Sequence, residues 1–298
     1  MWANDTWKDY ALLDASSGER LERWGKYILI RPDPQVIWNT KRENSFWRAA
    51  DAVYKRSRSG GGSWTVCNIP ESWNISYGAL TFQLRPMGFK HTGLFPEQAV
   101  NWDWFSDIIK GAVAQGRKPS VLNLFAYTGG ATAAAAAAGA SVCHVDAAKG
   151  MVQAAKENLR LSGLGDAPVR YIVDDCKKFV EREIRRGRKY DAVIMDPPSY
   201  GRGPGGEVWK LEDCAHALIS LAASLMTESP LFFLVNSYTT GLSPAAMGYM
   251  VMQAMGNRGH IDTGELGLRA EETGLLLPAG ASARWTPETV QQKNRRNK

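Results

Sequence analysis

Residues 121–150, VLNLFAYTGGATAAAAAAGASVCHVDAAKG, decide the fold. The run SVLNLF (120–125) is apolar and continuous, as in a strand buried on both faces. Gly129 and Gly130 end it in a turn. The alanines that follow favour a helix, and their small side chains suit close packing of that helix on a sheet. SVCHVD (141–146) is a second buried strand. Strand, turn, helix and strand in succession form a βαβ unit, whose strands are parallel.

The alternation continues downstream. Residues 149–162 read as an amphipathic helix ended by Gly163, VRYIVDD (169–175) as a strand, and 177–188 as a charged helix. YDAVIMD (190–196) is a strand, followed by a Pro/Gly loop to 206 and a helix from about 210 to 226. LFFLVNS (231–237) is a strand, 244–256 a helix, and 260–268 and 274–278 are late strands. This order predicts an α/β, doubly wound, mainly parallel sheet with an antiparallel hairpin at its edge.

Upstream the character changes. Nine of the eleven tryptophans lie before residue 105, and GAVAQGRKPS (111–120) clusters Gly, Pro and basic residues. A boundary there divides an N-terminal β-rich domain, 1–115, from the α/β domain, 116–298. YILI (27–30) reads as a strand stopped by Pro32 and Pro34. WNISYGALTFQLRP alternates around Tyr77-Gly78 as a hairpin, SRSGGGS (57–63) is a loop, and 97–110 has helical spacing. Most of the early tryptophans are expected in a small β core, although such rings can also stack bases.

The chain has 298 residues, 44% apolar and 22% charged, which excludes a disordered, collagen-like or coiled-coil chain. No apolar run reaches the ~18 residues that a bilayer span needs. The start, MWANDTWKDY, lacks the basic and apolar regions of a secretory signal. The four cysteines, at 67, 143, 176 and 214, form no CxxC pair. A cytoplasmic location with reduced thiols is therefore expected. The four histidines show no ligand spacing, so no metal is expected. A net charge of +6 permits a polyanionic partner without requiring one.

Doubly wound sheets bind ligands at the carboxyl ends of their strands. The first strand delivers Asn123 to Gly130, where glycine allows close backbone approach and a helix start offers N–H groups to a carboxylate or phosphate. The second delivers Asp146, suited to accept from ribose hydroxyls, although an Asp there also suits a helix N-cap. The third delivers Asp174 and Asp175, able to accept from an adenine amino group. The fourth delivers Asp196-Pro197-Pro198-Ser199-Tyr200, a rigid pair of prolines beside an aromatic face. Each feature alone has a bland reading as a turn, a cap or close packing. Together they describe a site for a nucleoside with a charged tail. The GxGxxG pattern of dinucleotide sites is absent, which leaves an amino-acid tail.

These segments, with VDDCKKF and YDAVIMDPPSYGRG, resemble class I S-adenosylmethionine (SAM)-dependent methyltransferases. The similarity is greatest to bacterial 23S rRNA large-subunit methyltransferases of types I and K and covers about residues 88–280. It implies a Rossmann-like, seven-stranded methyltransferase sheet with SAM as cofactor. Phe125, Tyr127, Gly129 and Gly130 would hold the methionine tail and Asp146 the ribose. Asp175, directly before the next helix, would take the adenine, with Asp174 as second choice. Asp196 would lie beside the sulfonium and the target atom, with Pro197, Pro198 and Tyr200 framing a base. GFKHTGLFPEQ (88–98) is similar to the segment that lids the cofactor, which implicates Lys90, Thr92 and Gln98. Here His91 intervenes, Glu97 replaces Asp, and Ala99 stands where Arg is usual.

One departure bears on the chemistry. Methylation of cytosine C5 needs a thiolate that adds to the ring. The type I family carries that cysteine after strand five, where this chain has Asn236-Ser237-Tyr238-Thr239-Thr240. Nitrogen methylation needs no covalent intermediate and is favoured, with guanine as in the type K relatives. RNA, specifically rRNA, is the expected partner, and Arg202 beside Tyr200 is the expected substrate contact. The basic run EREIRRGRKY (181–190) suits a solvated helix end, and the tail QQKNRRNK suits non-specific phosphate contact. The alternatives are a methyltransferase for a small molecule or protein side chain, and a SAM- or RNA-binding protein without turnover.

Overall fold

The structure, a computed structural model, describes residues 1–57, 61–88, 90–202, 208–239 and 241–288. It divides into two compact units. The first comprises Met1–Val100, Glu157–Gly165 and Leu266–Ala279; the second comprises Asn101–Lys156, Asp166–Glu265 and Gly280–Lys298. The break expected at 115/116 lies just past the end of a helix, whereas the division falls near that helix's start.

The first unit is β-rich. After the short β1 (Trp2–Ala3), strands β2 (Tyr10–Ser16), β3 (Glu19–Trp24), β4 (Tyr27–Pro32), β5 (Ala52–Arg56) and β6 (Gly62–Cys67) form a sheet in that order. Its pairs are antiparallel except β4 with β5. Strands β7 (Trp73–Tyr77) and β8 (Leu80–Leu84) form the expected hairpin across a two-residue turn, Gly78-Ala79. Ala11, Leu13, Leu21, Ile28, Ile30 and Trp47 make one apolar core. Trp24 and Trp47 are buried, as expected of core tryptophans, while Trp38 is 39% exposed.

A buried ionic cluster lies in the same unit. Arg31 grips the Glu22 carboxylate through Nε–Oε2 at 2.6 Å and Nη2–Oε1 at 2.7 Å. Tyr10 donates its hydroxyl to Glu22 at 2.9 Å, and Arg20 stands 3.5 Å from both Glu22 and Asp33. Burial alone would raise the Glu22 carboxyl, but Arg20 and Arg31 outweigh it and bring its pKa down to about 2.

The rest of the chain, which lies in the second unit apart from 99–100, 157–165 and 266–279, carries α1 (Ala99–Ala114), β9 (Ser120–Leu124), α2 (Gly130–Ala137), β10 (Ser141–Asp146), α3 (Lys149–Leu161) and β11 (Val169–Val173). It continues with α4 (Cys176–Arg185), β12 (Ala192–Met195), β13 (Tyr200–Arg202), β14 (Val208–Lys210) and α5 (Leu211–Ala223). It ends with β15 (Phe232–Ser237), α6 (Pro244–Ala254), β16 (His260–Arg269) and β17 (Leu276–Thr286). The sheet runs β1-β16-β17-β15-β12-β9-β10-β11, so the short β1 adds an eighth strand to the seven expected. Neighbours from β15 to β11 are parallel and β17 is antiparallel to β15; the two late strands expected as a hairpin, β16 and β17, are neighbours, with β1 rather than β16 at the edge. Residues 266–279 of that hairpin group with the first unit, where Trp2 and Ala3 pair with Leu266 and Gly267.

Sequence explains these elements locally. Val121, Leu122 and Leu124 are fully buried, as a central parallel strand requires. Five consecutive residues of α2, Thr132–Ala136, are buried, so their small side chains face packed neighbours. Ser243 caps α6 and Pro244 takes its first position. The core gathers Phe179, Phe233, Leu218, Ile219 and Trp285 between sheet and helices. Each large apolar side chain buried there contributes about 1.5–3 kcal/mol.

Two expectations are corrected. The Pro/Gly loop after β12 contains a short antiparallel hairpin, β13 with β14, pairing Tyr200 with Lys210. The last strand runs to Thr286 rather than ending at 278. SRSGGGS, the tip of the β13–β14 hairpin and the tail QQKNRRNK fall wholly or partly outside the described residues. Among the described residues, no helix is long and apolar enough to cross a membrane.

Candidate cofactor and acceptor site

Strand order reverses around β9. From β9 the chain adds β10 and β11 on one side, then returns to place β12 and β15 on the other. The switch point, where such sheets open a crevice, therefore lies between β9 and β12 at their carboxyl ends. The residues that follow these two strands are Phe125–Gly130 and Asp196–Tyr200.

The first segment is a strained turn. Phe125, Tyr127 and Gly129 have φ of +55°, +49° and +81°. Two non-glycine residues in the left-handed region cost about 1–3 kcal/mol each, so surrounding bonds must hold them. The Phe125 amide donates to Cys176 Sγ at 3.2 Å and the Ala126 amide to the Val145 carbonyl at 3.0 Å. The Tyr127 amide donates to Asp146 Oδ2 at 2.8 Å, and the Ala148 amide to Asp146 Oδ1 at 2.8 Å. Asp146 thus shapes the turn as well as the end of β10. Burial raises its carboxyl above the ordinary range, and the Tyr127 and Ala148 amides oppose that rise.

Gly129 has no room for a side chain. A Cβ there would stand 2.8 Å from Ala155 Cβ, and one on Gly130 would stand 2.7 Å from the Trp102 ring. The first turn of α2 consequently sits tight on its neighbours, with amides that an α-helix leaves without an internal acceptor. Beneath it, Asn123 Nδ2 donates to Thr132 Oγ1 at 2.9 Å, which also meets His144 Nδ1 at 2.9 Å. Burial lowers the His144 pKa to about 4, so the ring is neutral. This buried relay under the glycine turn was not evident in the sequence; polar Asn123 and His144 at core positions of apolar strands were its only sign.

The adjoining acids have partners already. Asp175 caps α4, accepting from the Lys178 amide at 2.8 Å. Asp174 is ion-paired with Arg182, and its amide donates to the Asp146 carbonyl at 3.0 Å. Arg186 pairs with Glu183 at 3.1 Å and Lys189 donates to the Ser224 carbonyl at 2.6 Å. Much of the basic run at 181–190 is thereby engaged within its own fold.

The second segment leaves β12 beside β9, with the Asp196 amide 3.4 Å from the Leu124 carbonyl. Three bonds hold it. Trp209 Nε1 donates to the Pro198 carbonyl at 2.7 Å, the Leu211 amide to the Ser199 carbonyl at 3.1 Å, and Thr239 Oγ1 to Ser199 Oγ at 2.7 Å. Tyr200 is 52% exposed and borders an open groove with Ser199, Lys210, Glu212 and Asp213. Arg202 is in β13, but its side chain lies outside the described residues. Trp209 was not singled out by sequence reasoning; an aromatic residue shortly after Asp-Pro-Pro-x-Tyr was the available signal.

Lys90, Thr92 and Gln98 belong to the first unit. Lys90 Nζ donates to the Pro32 carbonyl at 3.0 Å, and its own carbonyl accepts from Arg31 at 2.9 Å. Burial, with Arg20 nearby, lowers the Lys90 pKa to about 8. Thr92 and Gln98 are buried. Burial, with Arg31 and Lys90 nearby, lowers the His91 pKa to about 4.

Cys176 lies buried under the Phe125 turn, and burial pushes its thiol well above the ordinary range. It is a poor nucleophile for that reason. Cys143 is also buried, with its thiol raised by burial. No group of three or more His, Cys, Asp or Glu suited to a metal ion occurs among the described residues.

A glycine turn at a helix start, a carboxylate at the next strand end and an Asp-Pro-Pro loop across the switch point fit SAM by their donor set. Comparison with known proteins agrees. The model of the S-adenosylmethionine-dependent methyltransferase family matches residues 47–246. A crystal structure of the SAM-dependent methyltransferase from Agrobacterium tumefaciens superposes with a TM-score of 0.89 at 36% identity, covering 96% of this chain and 93% of that one. The ribosomal RNA large subunit methyltransferase K/L of Shewanella frigidimarina is 35% identical over 163 residues, 54% of this chain and 22% of that protein. Its counterpart in Syntrophotalea carbinolica is 30% identical over 170 residues, 56% of this chain and again 22% of the relative. This chain therefore aligns with about a fifth of the length of those relatives. The family match and the nearly full-length structural likeness lead to one conclusion: the chain belongs to the SAM-dependent methyltransferases.

Proposed function

We propose that this methyltransferase acts on rRNA in the cytoplasm and places the methyl group on a base nitrogen. The single observation that carries the nitrogen assignment is the acceptor side of the crevice. Asp196-Pro197-Pro198-Ser199-Tyr200 leaves β12 there, and the following strand, β15, ends in Asn236-Ser237-Tyr238-Thr239 with no cysteine. Cys176 is protonated under the cofactor turn, which suits a packing role. The names of the curated relatives support rRNA as the acceptor.

In this reading SAM supplies an electrophilic methyl group on its sulfonium. Amides at the start of α2 would hold its carboxylate, with Phe125, Tyr127, Gly129 and Gly130 shaping the turn around it. Asp146 accepts from the ribose, using lone pairs beyond those engaged by Tyr127 and Ala148. Asp174 or Asp175 would accept from the adenine amino group. Pro197, Pro198 and Tyr200 frame the base, Arg202 meets a phosphate, and Asp196 orients the attacking nitrogen. With SAM bound, the carbon–sulfur bond would break as that nitrogen took the methyl group, and S-adenosylhomocysteine would leave; this chain's part would be to hold the nitrogen toward the methyl carbon. The nitrogen's proton passes to Asp196 or to water.

Nucleoside mass spectrometry of rRNA from strains with and without the protein tests the proposal. One N-methylated nucleoside should disappear with the gene and return with it. An unchanged set of nucleosides overturns rRNA as the acceptor and leaves the small-molecule or protein acceptor. A lost 5-methylcytosine overturns the nitrogen assignment.

A further inference from the structure

Trp209 touches both halves of the crevice. Its indole N–H donates to the Pro198 carbonyl at 2.7 Å, inside the acceptor loop. Its ring centroid lies 5.9 Å from that of Phe125 at an interplanar angle of 44°, on the cofactor turn. Its backbone faces Gly201 across the β13–β14 hairpin, so the same residue anchors the strand that begins at Tyr200. Leu211 and Thr239 also hold this loop, but they hold Ser199. Trp209 reaches the cofactor turn as well, through Phe125.

We infer that Trp209 is a positioning residue for methyl transfer, coupling the cofactor turn at Phe125 to the alignment of the Asp196–Tyr200 acceptor loop. The inference rests on the acceptor reading above. Occupying the carbonyl of Pro198 fixes the direction of that peptide, and because the Pro198 ring fixes φ it restricts the Pro197 carbonyl one residue earlier. A base amine or ring nitrogen facing the methyl group needs the loop held in one geometry, because small misplacements are costly in an in-line transfer. The Phe125 contact makes that geometry sensitive to whether the turn has closed on the cofactor.

Two variants separate the ring from its N–H. Trp209→Phe keeps an aromatic ring against Phe125 and removes the donor; Trp209→Ala removes both. Steady-state kinetics would use rRNA from a strain lacking the gene, calorimetry would give the SAM affinity, and thermal melting would confirm folding. For Trp209→Phe, kcat should fall roughly ten-fold while the acceptor KM and the SAM Kd stay within about three-fold, the size expected for one lost positioning hydrogen bond. In the wild type, S-adenosylhomocysteine should change the affinity for the RNA by about five-fold or more, and in Trp209→Ala that ratio should fall toward one. A folded Trp209→Phe with wild-type kcat overturns the inference alone. A wild type that methylates no rRNA overturns the acceptor reading, and this inference with it.

Discussion

The main-chain amide of Tyr127 donates to Asp146 Oδ2 at 2.8 Å, so the turn after the first parallel strand and the carboxylate after the second are one structural piece. The acid proposed to meet the ribose also holds Tyr127 at a φ of +49°. In the proposed site, cofactor affinity and turn geometry therefore depend on the same side chain.

Asp146→Asn should weaken SAM binding by about 10–100-fold, because one acceptor of the turn becomes a donor and a charge-assisted bond is lost. Calorimetry reads this directly. The pH dependence follows from the raised carboxyl pKa, which burial causes. The proposed ribose contact uses the ionised form, so SAM affinity should fall on acidification at a pH above the ordinary Asp range. Stability moves the other way. The folded state binds the extra proton in that window, so this group's contribution to stability falls as pH rises through it. Loss of affinity only at or below the ordinary Asp pKa would contradict the assignment.

Gly129→Ala is expected to abolish measurable SAM binding. The added Cβ would stand 2.8 Å from Ala155 Cβ in a residue at φ +81°. Relief of both strains costs about 2–4 kcal/mol, visible as a lowered Tm. Gly150→Ala, where a Cβ meets nothing within 4 Å, is the control and should behave as wild type.

Asp196→Ala should reduce kcat by about 10²–10⁴-fold with SAM affinity within a few-fold. Wild-type turnover in that variant would remove Asp196 from the reaction.

Cys176→Ala should keep kcat within about three-fold, because a buried thiol far above its ordinary pKa is not a nucleophile. It should lose about 1 kcal/mol of stability with the bond to the Phe125 amide. A covalent complex of wild-type protein with 5-fluorocytosine RNA, absent in Cys176→Ala, would overturn this.

Glu22→Gln should destabilise the first unit by about 3–5 kcal/mol, since Arg20 and Arg31 would be left buried without their carboxylate. Glu22 has a lowered pKa of about 2, so its contribution is present above the ordinary Glu range and is lost as pH falls through that range to about 2. Acid titration of wild type should show that loss, and Glu22→Gln should not.

Much of the α/β unit was legible because buried parallel strands are short apolar runs and each helix between them has its own period. The strand SVCHVD was read to the residue, and β9, α3 and β15 to within a residue at each end. The hairpin Tyr200–Arg202 with Val208–Lys210 was not, since three-residue strands around Gly-Pro-Gly-Gly carry no period. The last strand was read short because PAGASARWT has few β-branched residues, and its extent follows from pairing with β15. The grouping of 157–165 and 266–279 with the first unit depends on long-range packing that composition does not record. Strand-end acids were found by position, but their local roles were hidden: Asp175 caps a helix, Asp174 meets Arg182, and Asp146 holds a turn.

A crystal structure of the protein soaked with S-adenosylhomocysteine tests the central claim most directly. The account predicts the amino-acid tail at the Phe125–Gly130 turn, the ribose hydroxyls on Asp146, and the sulfur directed toward Asp196. A ligand bound elsewhere, or a ribose remote from Asp146, would contradict it.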